Sequence, residues 1–188
     1  MTDSFDFLMV LYSIIIGIGM SQILMAIGRI LQAEKKIRLY WVHSAWVLLI
    51  FLLHIFVWFN AWEYHAIQTW KLSQFLSFLT VPILLFIVSV ITFPDIYQEK
   101  EYDLRDYYYA SFGWLHALLA VLIVFASINE FILLDQQLFV WQNGVRGAAF
   151  LVLLVSFLTK QPKIHASQII VLYGLISVSA VALRGTVS

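Results

Sequence analysis

The sequence predicts an all-α integral membrane bundle of six transmembrane helices, with both termini outside, as one domain over residues 1–188. Three observations predict it. First, 62% of the residues are hydrophobic and only 12% are charged, against about 25% charged in an ordinary soluble domain. A soluble fold of this composition would lack the polar residues to cover its core. Second, the apolar residues fall into six runs of roughly 20, the length that crosses the hydrocarbon of a bilayer. Third, the short stretches between the runs alternate in basic charge, and basic charge in short loops sets orientation.

The first run covers about Phe5–Leu31. MTDSFDF ahead of it carries Asp3 and Asp6 and no basic region, so the segment is expected to be a retained span and not a cleaved signal. The others cover Trp41–Trp62, Leu72–Phe93, Tyr109–Leu134, Leu138–Leu158 and Ile164–Leu183. Lys35, Lys36 and Arg38, with Arg29 at their edge, mark the first connection; Lys100 and Arg105 mark the third; Lys160 and Lys163 mark the fifth. The opposite side holds only Lys71 and Arg184. The odd-numbered connections are therefore expected in the cytoplasm.

The third connection, FPDIYQEKEYDLRDYYY, is the longest. Pro94 should end the preceding helix. Residues 94–108 read as a solvated connector, a short interfacial helix or a loop for a cytoplasmic partner. Tyr107, Tyr108 and Tyr109 are expected at headgroup level, and Trp41, Trp58, Trp62 and Trp70 near span ends fit the same aromatic belt.

Composition excludes several functions. Eleven basic and eleven acidic residues cancel without forming a basic stripe, which gives no support to nucleic-acid binding. Cysteine is absent, so disulfides, thiol catalysis and thiolate metal sites are excluded.

Polar residues inside the runs are the candidate functional groups, because an ionisable side chain at membrane depth should face the bundle interior. His43 and His54 lie about three helical turns apart on one stripe, with Val47, Ile50, Trp58, Ala61 and His65. Interhelical hydrogen bonding is the structural reading of both; a proton or ion path, or a cofactor, is the functional one. With the predicted orientation, Gln22, His43, Ser44 and His116 fall in the inner third, with His165, Ser167 and Gln168 near the inner interface. This set is a candidate cytoplasmic-side polar pocket. Toward the outer side a different polar set is expected: Asn60, Glu63 and His65 close the second span, Asn129 and Glu130 come late in the fourth, and Arg146 lies roughly 12 Å into the fifth at 1.5 Å per residue. Glu130 is its expected partner, Asp135 the second choice, and Gln142 and Asn143 could share the network. Gly17, Ser21 and Gly28 suggest a close-packing face, Gly144 and Gly147 would let a helix approach Arg146, and Pro82 should kink the third span, with Ser77 and Thr80 near enough to compensate. Trp41-Val-His43 and Trp141-Gln-Asn143 echo one another at two span starts, as a three-plus-three repeat would.

The stretches YSIIIGIGMSQILMAIGRI, WVHSAW and DLRDYY resemble a family of small bacterial polytopic inner-membrane proteins of uncharacterised function. The resemblance implies a multi-pass protein of the cell inner membrane. It carries no catalytic, cofactor or binding residue to this chain.

Three function classes follow. The leading one is a channel or small transporter for ions or protons, as a monomer or homo-oligomer in the lipid bilayer, with His43, His54, His116, Gln22, Arg146 and Glu130 along its polar path. The second is a non-catalytic membrane assembly or partner subunit. The third is a haem-binding redox protein, with His54 and His116 as ligands; no catalytic residue or metal is otherwise expected, and the leading reading is not an enzyme.

Overall fold

The computed structural model describes residues 4–33, 36–94, 101–135 and 141–183. They form an all-α bundle of six packed helices: α1 (Ser4–Gln32), α2 (Trp41–Asn60), α3 (Leu72–Ile91), α4 (Leu104–Leu133), α5 (Trp141–Phe157) and α6 (Pro162–Leu183). Five of them are long and apolar enough to cross a membrane. The exception is α5, whose 17 residues reach about 26 Å at 1.5 Å per residue; residues 138–140 of the expected fifth span lie outside the described residues. A 3-10 turn, Ala61–Ala66, extends α2.

The helix ends follow local chemistry. α4 begins five residues before the expected Tyr109, because Asp103 caps it by accepting from the Arg105 amide at 2.8 Å. Gln74 Oε1 accepts from the Lys71 amide at 2.9 Å and closes the start of α3. Pro162 stands at the first position of α6, where its missing N–H costs nothing. Helix α3 runs on through Pro82. Neither Ser77 nor Thr80 compensates there: Ser77 donates to Asn129 and Thr80 to the Leu76 carbonyl.

One element was not expected. Lys36–Arg38 (β1) and Glu101–Asp103 (β2) pair in parallel, with Lys36 opposite Glu101 and Arg38 opposite Asp103. This clip ties the first and third connections together, so α2 and α3 must run out and back. Part of the connector read as solvated or partner-binding is thereby engaged within the chain; residues 95–100 lie outside the described residues. Tyr108 donates to His165 near the start of α6, which brings the fifth connection to the same end. The odd-numbered connections thus share one end of the bundle, called here the clip end.

α1 packs on α2 and α3, α3 on α4, α4 on α5, α5 on α6, and α6 returns to α2. Phe5, Tyr12, Ile16 and Ile23 of α1 and Val42, Trp46, Leu49 and Ile50 of α2 turn inward, at the three-to-four spacing of one helix face. Phe7, Val10, Ile14, Ile170 and Val178 face outward, as a lipid-facing surface requires.

The tyrosine run is engaged within the bundle. Tyr108 is buried, Tyr107 donates to the Ile91 carbonyl at 2.8 Å, and Tyr109 meets Tyr40 hydroxyl to hydroxyl at 3.2 Å. These rings join helices. The close-packing glycine differs from expectation. A Cβ on Gly17, Gly28, Gly144 or Gly147 would meet nothing, whereas one on Gly19 would overlap His54 Nε2 and lie 2.9 Å from its Cδ2. Gly19 is what lets α1 lie against the His54 ring. Gly19→Val should lower stability by about 2 kcal/mol through overpacking, with Gly17→Ala near neutral; thermal unfolding in detergent micelles measures both.

Candidate functional site

The buried histidines share one arrangement. A backbone carbonyl accepts an N–H from each: His43 Nε2 donates to Thr92 at 2.8 Å, His54 Nδ1 to Ile50 at 2.8 Å, His116 Nδ1 to Phe112 at 2.6 Å, and His165 Nε2 to Thr159 at 2.8 Å. A carbonyl only accepts, so that nitrogen carries the proton. In three of the four the second nitrogen meets a donor. Gln168 Nε2 donates to His116 Nε2 at 2.7 Å, and the Tyr108 hydroxyl to His165 Nδ1 at 2.8 Å. Ser89 Oγ lies 3.1 Å from His54 Nε2 and 3.0 Å from the Leu85 carbonyl, and shares its hydrogen between them. A neutral imidazole satisfies every one of these contacts.

The expected clip-end pocket is therefore divided and filled. His116 and His165 do come together, with ring centroids 5.8 Å apart, and Trp46 lies against His116 at 5.2 Å. Trp46 Nε1 donates to Tyr108, which links α2 to α4 and α6. His43 sits apart, against Phe93 and Tyr107. Gln22 is half-buried on α1; Ser44 and Ser167 are exposed and donate back to their own helix ends. His54 and His116, the pair considered for haem, have different neighbours and both ring nitrogens engaged. Among the described residues, no three His, Asp or Glu side chains are placed to share a metal ion.

The open space is elsewhere. A cavity of about 190 Å³ lies between α2, α4, α5 and α6, with Tyr12 of α1 and Phe78 and Val81 of α3 behind it. It is polarised. Toward the clip end its lining is Trp46, Leu119, Leu153 and Leu172. Toward the opposite end it is Asn60, Glu63, Glu130, Gln142, Arg146 and Ser179. On α4 the distance from Leu119 to Glu130 is about 16 Å at 1.5 Å per residue. The wall that α5 supplies is one helical stripe, Trp141, Gln142, Val145, Arg146, Ala149 and Leu153.

Arg146 and Glu130 meet here as expected. The two guanidinium Nη atoms bond the two carboxylate oxygens in a parallel fork, and Nη1 also donates to Asn143 Oδ1 at 3.1 Å. The side chains are 21% and 10% exposed, so either charge left alone would be poorly solvated. Asn129 positions Glu130: its Oδ1 accepts from Ser77 Oγ at 2.5 Å and its Nδ2 donates to the Ser77 carbonyl at 2.9 Å. Glu63 lines the same end, near enough for its charge to act on Arg146. Gln142 did not join the fork. Its Oε1 is buried without a hydrogen-bond partner among the described residues.

Asn60, Glu63 and Asn129 of the expected outer polar set do line this end with Arg146 and Glu130, whereas the apolar wall was not anticipated. Glu63 and Asn129 carried a signal, as polar residues at the same depth as Arg146. Leu49, Leu122, Leu153 and Leu172 carried none, because a cavity wall and a packed core have the same composition.

Arg146→Met should cost about 3 kcal/mol by leaving Glu130 unpaired, and adding Glu130→Leu should recover more than half of that loss. Thermal unfolding of the three variants in one detergent measures it; equal loss in single and double variants would show that the pair contributes nothing beyond side-chain volume.

No family model, curated protein or solved structure matches the chain, so its function has to be read from the site.

Proposed function

We propose that the protein is a small multi-pass transporter of the bacterial inner membrane, and that its solute site is the cavity between α2, α4, α5 and α6. The observation that carries this reading is the coincidence of that cavity with the Arg146–Glu130 pair at one end. Apolar walls with a few convergent polar groups are the usual make-up of a small-molecule site.

Movement has a natural element in α5. Only Leu153 and Ser156 of this helix are buried, yet it forms a full wall of the cavity. The Arg146–Glu130 fork ties it to α4. Release of this polar tie would loosen α5 from the more tightly packed α1–α4 body, as a hinge motion does around a ligand.

An ion or proton path along His43 and His54 has less support. Their donor nitrogens are committed to carbonyls, and His54 also meets Ser89. A haem between His54 and His116 would have to displace Ser89 and Gln168 from the ring nitrogens. A partner loop in residues 94–108 would have to leave free what β2 already pairs with β1.

The absence of cysteine makes the test clean. Ala149→Cys in proteoliposomes should react with a membrane-impermeant maleimide, and more slowly when a ligand fills the cavity. Planar-bilayer recordings should show no steady ionic current. Sustained single-channel current from the wild-type chain, with Ala149→Cys unreactive from both sides, would overturn the transporter reading in favour of a channel.

A further inference from the structure

We infer that this site takes an uncharged solute: an aromatic alcohol of one ring and a short chain, with its O–H donated to Gln142 and its ring beside Ala149. The inference rests on the transporter reading and names the solute class.

The unmet group at the site points to it first. Gln142 Oε1 belongs to the cavity lining, is buried, and has no hydrogen-bond partner among the described residues. A buried acceptor left unmet is costly, and an arriving donor removes that cost. Arg146 and Asn129 commit their donors elsewhere: both Nη atoms of Arg146 to Glu130, Nη1 also to Asn143, and Asn129 Nδ2 to the Ser77 carbonyl. What this end offers a newcomer is therefore an acceptor, and a hydroxyl can donate to it.

The charged groups speak against an ion. The Arg146 guanidinium holds both carboxylate oxygens of Glu130, and Glu63 is engaged as well. An ammonium would have to compete with Arg146 for Glu130. A carboxylate would have to compete with Glu130 for Arg146. Bringing a charge to this depth without a free counter-charge is costly, whereas a hydroxyl needs only the one acceptor.

The walls set the body. Tyr12, Trp46, Phe56, Tyr64, Phe78 and Trp141 put six aromatic side chains around the cavity, and rings pack favourably on rings edge to face or offset. Away from the polar end, α4 contributes only Leu119, Leu122, Ile123 and Ala126. Gln142, Val145, Arg146 and Ala149 share one stripe of α5, and Ala149 stands about 10 Å along the helix from Gln142 at 1.5 Å per residue. A ring on a three-carbon chain covers that distance. The cavity of about 190 Å³ is somewhat larger than the roughly 150 Å³ hollow that accommodates benzene in a protein core, which leaves room for the chain beside the ring.

Four probes test it: 3-phenylpropan-1-ol; 2-phenylethyl methyl ether, its isomer without an O–H; 3-phenylpropylamine; and 4-phenylbutanoate. Binding is measured by equilibrium dialysis with the full chain in nanodiscs, against empty nanodiscs to remove partitioning into lipid. The alcohol should bind about fivefold tighter than the ether, the scale of one neutral hydrogen bond, and tighter than either ion. Gln142→Leu should erase that preference, where a merely structural role would weaken alcohol and ether alike. Ala149→Phe, which fills the cavity, should abolish specific binding of all four, and thermal unfolding checks that both variants fold. The wild-type comparison stands whether or not they do. Wild-type binding that is equal for alcohol and ether, or tightest for the amine or the carboxylate, overturns the assignment of an uncharged donor and leaves the cavity as a solute site. An alcohol preference that survives Gln142→Leu overturns it too, since the acceptor is then another group. If none of the four binds above empty nanodiscs, or binding persists in a folded Ala149→Phe, the cavity reading falls and this assignment with it.

Discussion

Lipid takes away the force that packs helices in water. Hydrocarbon is as apolar as leucine, so helices inside a bilayer are held by close contact and by polar groups that reach across. This bundle is organised around that constraint. Trp46, Tyr108 and His165 join α2, α4 and α6; Gln168 and His116 join α6 to α4; Ser89 and His54 join α3 to α2; Ser77 and Asn129 join α3 to α4; Trp58 and Ser13 join α2 to α1. The imidazoles suit this role because each has two unlike nitrogens. One satisfies a carbonyl and the other is left to meet a neighbouring helix. Each such bond contributes modestly, on the order of 1 kcal/mol, but together they join α1, α2, α3, α4 and α6.

Helix α5 carries a tie by charge, and the fork between Arg146 and Glu130 has a different energetic character. A buried ion pair adds little net stability relative to apolar groups of the same shape, yet breaking it on one side is expensive. It therefore marks a place where a packed apolar contact was available in principle and a paired charge stands instead. The position makes sense of it. Toward the clip end the polar contacts are dense and close the bundle. Toward the other end, among the described residues, α5 and α4 meet across one fork, and the cavity opens beside it.

The same contrast explains why the histidines attract attention in the sequence and the cavity does not. His43 and His54 stand out as imidazoles in a hydrophobic run, and with Val47, Ile50 and Ala61 they do face inward, while Trp58 and His65 of the same stripe are exposed. The role of His43 and His54 depends on what stands opposite: Thr92 for one, Ser89 and the bare backbone of Gly19 for the other. Nothing along α2 specifies those partners. Arg146 and Glu130 were legible as a pair because an arginine at that depth has few affordable solutions, and Glu130 ends the neighbouring helix. Asn129, which holds Glu130 in place, needed the view across to Ser77.

The sequence by itself determined the helical bundle, the approximate limits of the helices, the inward placing of His43 and His54 on α2 and the Arg146–Glu130 pair. Each follows from a local or nearest-neighbour rule: the length of an apolar run, a helical period, a charge that must be neutralised. Only the tertiary structure decided that Gly19 and not Gly17 admits a neighbour, that the tyrosine run turns inward, and that β1 and β2 form a clip. It alone decided, too, that four helices leave a polarised hollow with Glu63 and Gln142 at its charged end. Those features depend on which face of each helix meets which neighbour. Apolar residues read alike along a chain whether they pack, face lipid or line a cavity.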